Sequence, residues 1–517
     1  MAKRALDLPF PAVSLDTSSA EPLHRQLYFG VREAILDGRL RPGLRLPSSR
    51  ILAREIGVSR NTVLAAFEQL SAEGYLDGRV GAGSFVSRRL PEEALLARVP
   101  GHRRAGEPAR APGPSRRGVQ LASLGHGLGR PRPFAPGLPE LERFPFEEWS
   151  KLLARRWRTP KREFLVGGAP AGYRPLREAI ADYLSSARAV ACHAEQVIVT
   201  SGTQQALDLA TRVLIDPGDP IWVEEPGYPA TAAALTAAGA RLVAVPVDGE
   251  GLSVAAGRAA EPAARMVCIS PSHQFPLGVT MSLQRRLELL EWARAADGFV
   301  LEDDYDSEYR YAGRPLAALQ GLDHDGRVIY LGTFSKVMFP GLRIGYMVVP
   351  EHLVDPFLAV RGLIDAHPSS IAQAALADFI AAGHMAAHIR RMRVLYGARQ
   401  AALLEALGAR LGGLLRLEAA AAGMHLVGRL AAGLEDVAIA RAARAAGVEA
   451  PALSGYYRTE PAAQGLVLGY AGVPERDLLP AVERLARVLE GAAGEMRPQA
   501  AERYREAMGF ASSLHPT

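Results

Sequence analysis

The chain has 517 residues, 48% of them hydrophobic and 22% charged, with a formal net charge of +5. That length exceeds one ordinary core, so two or three domains are expected, and the balance is that of a soluble globular protein whose charge permits an anionic partner without proving one. Two cysteines (Cys192, Cys268), an amino terminus without the apolar core of a signal peptide, and no bilayer-long apolar stretch argue against a disulfide framework, a metal site and a membrane span, and for the cytoplasm.

The first helical pattern runs from Pro22 to Leu36, with Leu23, Leu27, Val31 and Ile35 on one face and Gly38 as the stop. A second short helix fits Ser48–Ile56, closed by Gly57. A third starts at Ser59 as N-cap and runs to about Ala72, with Val58 and Val63 placed as a hydrophobic staple. Val63, Phe67 and Leu70 form its buried stripe, which leaves Arg60, Asn61 and Thr62 at the exposed tip. Tyr75-Leu76 and Ser84-Phe-Val86 read as a β-hairpin whose glycine-rich tip, Gly81-Ala-Gly83, carries Arg79 beside it. Two helices joined by Gly-Val, the second tipped with Arg and Asn, suit a major groove, where Arg pairs with guanine and Asn with adenine. A three-helix packing module with a solvated polar end fits the same spacing.

The wording of the segment adds to this. Pro47-Ser-Ser-Arg50, Ile56-Gly-Val-Ser-Arg-Asn-Thr-Val63 and Ala72-Glu-Gly-Tyr-Leu76 resemble the winged helix-turn-helix of GntR-type bacterial regulators over residues 14–87. The resemblance implies that Arg45, Ser48, Arg50, Arg60, Asn61, Thr62 and Gly83 lie at double-stranded DNA. From 88 to 133 the chain turns to Arg, Pro, Ala and Gly, with Glu92–Val99 as a short helix and the remainder a mobile tether.

Beyond Phe134 strand, loop and helix alternate, which predicts an α/β domain over 134–490 with a mostly parallel sheet and ligands at the strand ends. Gln196-Val-Ile-Val-Thr200 leads into Ser201-Gly-Thr-Gln-Gln205 and a helix to Leu214, a seat for a phosphate or ordinary capping. Ile221–Tyr228 ends on a tyrosine free to stack on a ring or to pack in the core. Phe299–Leu301 delivers Glu302-Asp-Asp-Tyr305, whose carboxylate suits a pyridine nitrogen or a helix cap. Val328–Leu331 runs into Thr333-Phe-Ser-Lys-Val-Met-Phe-Pro-Gly-Leu-Arg343. There an amine stands ready for a carbonyl and a guanidinium for a phosphate. Each element alone is ambiguous; together they are the parts needed for pyridoxal 5'-phosphate.

With Gly172-Tyr-Arg-Pro-Leu-Arg177 and Ser272-His-Gln-Phe-Pro-Leu-Gly278, these segments resemble a fold-type I, class I/II aminotransferase. That fold carries a smaller C-terminal α+β subdomain. The resemblance implies that Lys336 carries the internal aldimine and is the one catalytic-type residue. It further implies that Asp303 pairs with the pyridinium, Tyr305 reaches the phenolic oxygen and Tyr228 stacks on the ring, while Thr203, Gln204, Ser335 and Arg343 hold the phosphate. A winged helix ahead of such a domain resembles the MocR subgroup of GntR-type regulators, in which the second domain senses and dimerises. A homodimer is therefore expected, with pyridoxal phosphate itself or an amine as effector; the alternative is an active aminotransferase carrying a DNA anchor.

Three positions depart from the enzymes. Val467, in Gly465-Leu-Val-Leu-Gly-Tyr470, stands where an arginine grips the substrate carboxylate, a loss of about 2–5 kcal/mol by analogy with truncated buried pairs. Phe275 replaces an asparagine, leaving His273 or Gln274 beside the phenolic oxygen. Gly167 falls where a tyrosine reaches the neighbouring subunit's phosphate. The first two weaken a claim of transamination. A short helical pattern, Ala500–Met508, has no functional reading.

Overall fold

The computed structural model describes residues 15–16, 19, 21–79, 83–88, 90, 113–124, 132–313 and 316–511, leaving out the side chains of 79, 123–124 and 495–511. The chain divides into two compact units, Met1–Gly113 and Pro114–Thr517.

In the first unit, helices Leu23–Leu36 (α1), Ser49–Glu55 (α2) and Arg60–Ala72 (α3) precede strands Leu76–Arg79 (β1) and Gly83–Val86 (β2). Ser48 caps α2, its hydroxyl accepting from the Ile51 N–H at 3.4 Å, and Ser59 caps α3 through the Thr62 N–H at 3.1 Å. Both fill a role that an alanine leaves to water. Val63, Ala66, Phe67 and Leu70 are buried against Leu27, Val31 and Leu52. The hairpin pairs Leu76 with Val86 and Arg79 with Gly83; its tip at 80–82 lies outside the described residues, as does the helix expected over Glu92–Val99.

In the second unit the expected tether is interrupted. Arg116–Leu124 is a helix, begun by the Ser115 hydroxyl accepting from the Gly118 N–H at 3.0 Å. It rests on the helix Pro229–Ala238, and Arg117 donates to the Ala237 carbonyl. Tertiary contact orders a stretch whose own pattern is too weak to do so.

Among the described residues, eight strands form the central sheet: Val197–Thr200 (β3), Pro220–Glu225 (β4), Arg241–Asp248 (β5), Gly251–Leu252 (β6), Met266–Ile269 (β7), Phe299–Asp304 (β8), Val328–Thr333 (β9) and Gly345–Val348 (β10). Their order is β3-β10-β9-β8-β7-β4-β5-β6. The run from β9 to β5 is parallel, while β10 is antiparallel to both its neighbours and β6 to β5. The sheet is thus mixed, with a mostly parallel centre. β7 and β9 are buried along their whole length, as helices on both faces demand of apolar strands. Beside it, Leu415–Arg416 (β11), His425–Leu430 (β12) and Gly465–Gly469 (β13) form an antiparallel sheet over its own core, which includes Leu426, Leu466, Leu468 and Tyr470. The helix Glu475–Ala511 closes that core and absorbs the separate pattern expected at Ala500–Met508.

Because β3, β4, β7, β8 and β9 point the same way, their carboxyl ends deliver Gly202, Tyr228, Ser270, Asp303 and Lys336 to one edge. Gly345 tightens this edge: a β-carbon there would lie 2.9 Å from the Gly202 Cα. The β9–β10 turn therefore closes onto the start of the helix Thr203–Leu214.

Candidate functional site

A cavity of about 510 Å³ opens at these strand ends, lined by Tyr228, Glu224, Ser270, Asp303 and Tyr456 among others. Lys336 lies on the turn after β9 and its Nζ donates to the Gly137 carbonyl at 2.7 Å. Burial favours the neutral amine and holds its pKa below the usual lysine range, while Asp306 and Asp303 pull the other way. A β-carbon at Gly137, which has φ +74°, would come within 2.8 Å of that amine, so a larger residue there would strain the backbone and displace the lysine tip. Burial and neighbouring Asp304 push Asp303 up to about 7, against the pull of Lys336. Asp303 Oδ1 is buried without a hydrogen-bond partner. A buried acceptor in that condition costs free energy until a donor reaches it.

Tyr305 places its Oη 3.0 Å from His273 Nδ1, and the same nitrogen lies 3.1 Å from both oxygens of Asp306. Gln274, the other candidate for the place of the missing asparagine, is engaged elsewhere: its amide donates to the Pro226 and Phe275 carbonyls and accepts from the Leu277 N–H. Tyr228 is 46% exposed, edge-on to Phe275 at 5.4 Å, and lines the cavity.

The helix Thr203–Leu214 has no side-chain cap, so its first turn offers the N–H groups of Thr203 and Gln204 and the positive end of the helix dipole. Exposed Arg343, at φ +54°, lies over it: a β-carbon at Gly202 would sit 3.3 Å from the guanidinium. The Ser335 N–H donates to Thr333 Oγ1 at 3.1 Å, tying that turn down with the Ser335 hydroxyl beside Lys336. The Gln204 side chain is exposed.

Val467 is fully buried. Leu466 and Leu468 face the subdomain core, so strand alternation puts Val467 on the opposite face, beside the residues of β12 that pair as His425↔Gly469 and Val427↔Val467. His425 on that face contacts the rings of His273 and Phe275, each at 5.0 Å. Val467 is thus a buried apolar side chain on the β13 face that pairs with the His425 side of β12. Gly167, at φ +125°, ends the helix Glu163–Val166 beside His367.

Two contributors escaped sequence reasoning. The Gly137 carbonyl lies 199 residues from the lysine it holds and leaves no local signal. Glu224, whose Oε1 accepts from the Ser270 N–H at 3.3 Å and whose carboxyl burial pushes up to about 8, sits at a strand end just as Asp303 does.

In the first unit, Arg45, Arg50, Arg60 and Asn61 are exposed and Thr62 half-buried. Arg60 Nε is 3.4 Å from Ser49 Oγ, and Thr62 Oγ1 is 2.8 Å from Ser59 Oγ. Ser48 is the cap of α2, and Gly83, at φ +97°, opens β2 beside the Arg45 guanidinium.

Residues 138–485 match the family described as aminotransferase class I and II, and residues 23–86 that of bacterial regulatory proteins, gntR family. The chain is 43% identical over 473 residues to the probable rhizopine catabolism regulatory protein MocR of Rhizobium meliloti, covering 91% of this chain and 94% of that one. It is 32% identical over 472 residues to the HTH-type pyridoxine biosynthesis transcriptional regulator PdxR of Corynebacterium glutamicum, covering 91% and 96%. Among solved structures it is similar to Pyrococcus horikoshii kynurenine aminotransferase, in a complex containing PMP, with a TM-score of 0.65 and 28% identity over 78% of this chain and 97% of that one. An unfilled carboxylate and a sequestered amine on a fold-type I frame, behind a DNA-binding helix-turn-helix, agree with that pairing: the chain belongs to the MocR subgroup of GntR-family transcriptional regulators.

Proposed function

We propose that this regulator is a cytoplasmic homodimer that holds pyridoxal 5'-phosphate in the cavity of its second unit and changes its hold on an operator when an effector arrives there. The observation that carries this reading is the partnerless, buried Asp303 Oδ1 in the neighbourhood of the sequestered Lys336 amine. When bound, pyridoxal phosphate supplies an aldehyde that condenses with amines and a ring that withdraws electrons once its nitrogen is protonated. Lys336 would be the amine that secures it, and Asp303 would hold a proton on its ring nitrogen. Tyr305 donates to the phenolic oxygen, and Tyr228 stacks on the ring and excludes water from one face. The N–H groups of Thr203 and Gln204, the Ser335 hydroxyl and the Arg343 guanidinium would hold its phosphate.

The effector is pyridoxal phosphate itself or an amine without an α-carboxylate, because Val467 offers no cation to pair with one. Occupancy biases closure within the second unit, and closure moves the tethered winged helices. At the DNA, Arg60 and Asn61 read base edges from the tip of α3, with Arg45, Ser48, Arg50, Thr62 and Gly83 along the backbone.

The test is Lys336→Ala. The wild-type chain should turn yellow with pyridoxal phosphate and alter its operator affinity; the variant should do neither. Unchanged effector-dependent DNA binding in the variant sinks the reading. Lys336, Asp303 and Tyr305 would serve turnover equally well, so a second reading is an active aminotransferase. Multiple-turnover keto-acid formation from an amino acid, abolished in Lys336→Ala, would establish it instead.

A further inference from the structure

The Tyr305 hydroxyl has one hydrogen to give, and a neighbour decides where it goes. His273 Nδ1 lies within 3.1 Å of both Asp306 oxygens and 3.0 Å from Tyr305 Oη. With two carboxylate oxygens as its acceptors, the ring hydrogen belongs on Nδ1, shared between Asp306 and the phenol oxygen. Tyr305 then accepts from His273 and cannot also donate to it. Among the described residues it has no other hydrogen-bond partner, so its hydrogen is left for the cavity.

The surroundings hold this arrangement still. His273 and Asp306 are 2% and 1% exposed. The imidazole lies flat over Gly423 (φ +93°), where any β-carbon would collide with it, and its edge meets Gly278. His273 Nε2 has no hydrogen-bond partner, so Nδ1 makes the ring's hydrogen bonds while the two glycines fix its plane.

We propose that His273, clamped on Asp306, is the positioning residue that turns the Tyr305 hydroxyl hydrogen toward the cofactor's phenolic oxygen, a service for which Phe275 has no polar atom. This rests on the cofactor reading above. A hydrogen donated to that oxygen stabilises its negative charge and competes for the proton it otherwise shares with the Lys336 nitrogen. The visible band of the loaded protein should therefore lose its proton at lower pH with the donor present than without it.

The experiment is a pH titration of that band in the full-length chain loaded with pyridoxal phosphate. His273→Phe should raise its midpoint by about 1 pH unit, a tenfold change in proton affinity, as expected for one hydrogen bond to a charged oxygen. Tyr305→Phe should do the same, and adding His273→Phe to it should shift the midpoint no further. His273→Asn, whose amide hydrogen falls near the place of Nδ1–H, should restore most of the wild-type midpoint. Asp303, Asp306, Glu224, Lys336 and His425 face the same region and are common to every variant. A full shift by His273→Phe in the Tyr305→Phe background overturns the proposal, as does an asparagine variant no better than phenylalanine. Should the phenylalanine variant not fold, histidine-selective nitrogen NMR of the wild type decides. His273 must carry its hydrogen on Nδ1, and the Nε2 tautomer overturns the proposal. A wild-type chain that stays colourless overturns the cofactor reading and this one with it; a normal chromophore with an unmoved midpoint overturns this one alone.

Discussion

Val467→Arg probes the proposed reading that this site lacks a cation for a ligand's carboxylate. The valine is fully buried in β13, on the face it shares with His425 and not on the face of Leu466 and Leu468. On the proposed reading, an arginine there would reach along the His425 face toward the place of an amino acid's carboxylate. A bidentate pair in such a partly desolvated place contributes about 2–5 kcal/mol. At about 1.4 kcal/mol per factor of ten, that is a gain of about thirty-fold to several thousand-fold in amino-acid affinity. The assay is an equilibrium titration of the pyridoxal-phosphate-loaded protein, followed by absorbance, with an α-amino acid and with the amine lacking only its carboxylate. The wild type should favour the amine or bind the two alike; Val467→Arg should favour the amino acid by at least thirty-fold. Inserting a charge at a closed position destabilises the subdomain, so thermal melting must show the variant folded and loaded. A wild type that already prefers the amino acid tenfold, or a folded variant with no gain, refutes the argument from Val467.

Three further outcomes follow from the same geometry. Arg188 binds buried Asp304 at 2.7 Å and also donates to Ser272 and to the Leu316 carbonyl. Arg188→Met leaves that carboxylate buried with the Tyr330 hydroxyl but no cation, and should lower unfolding free energy by about 3–5 kcal/mol, read from the denaturant midpoint. Burial raises Glu302, Asp303 and Glu308 to about 7 and Glu224 to about 8. Folded pKa values above unfolded ones mean stability that is complete at acid pH and lost as pH climbs toward these values. His388 and His425, held neutral with pKa values of about 4 and about 3, act oppositely only below an unfolded value of about 6.5. The cofactor-free chain should therefore melt lower at about pH 7.5 than at about pH 6.5, and the loaded chain should show a smaller drop because Asp303 has gained a cation. A rise across that window contradicts the assignment. Finally, Arg60→Ala should weaken operator binding by about 1–3 kcal/mol in fluorescence anisotropy while sparing an unrelated duplex; equal losses on both would make Arg60 a phosphate contact.

The sequence by itself determined what local chemistry dictates. Serines before apolar periodicity set the starts of α2 and α3, uninterrupted apolar runs set β7 and β9, and Lys336 and Asp303 stand at strand ends that any parallel sheet would place on one edge. The residue pattern also named the parts of a pyridoxal phosphate site, although nothing local distinguished Ser201-Gly-Thr203 from ordinary capping. Tertiary structure decided the rest, because the deciding contacts join residues far apart in the chain. The Gly137 carbonyl holds the Lys336 amine, Asp306 and Tyr305 meet on His273, and Gly345 lets one strand turn close on the start of another element. Arg116–Leu124 packs on Pro229–Ala238, a contact that no local pattern announces. Which face Val467 presents depended on the register of β12 with β13, since a shift of one residue would exchange its face with that of Leu468.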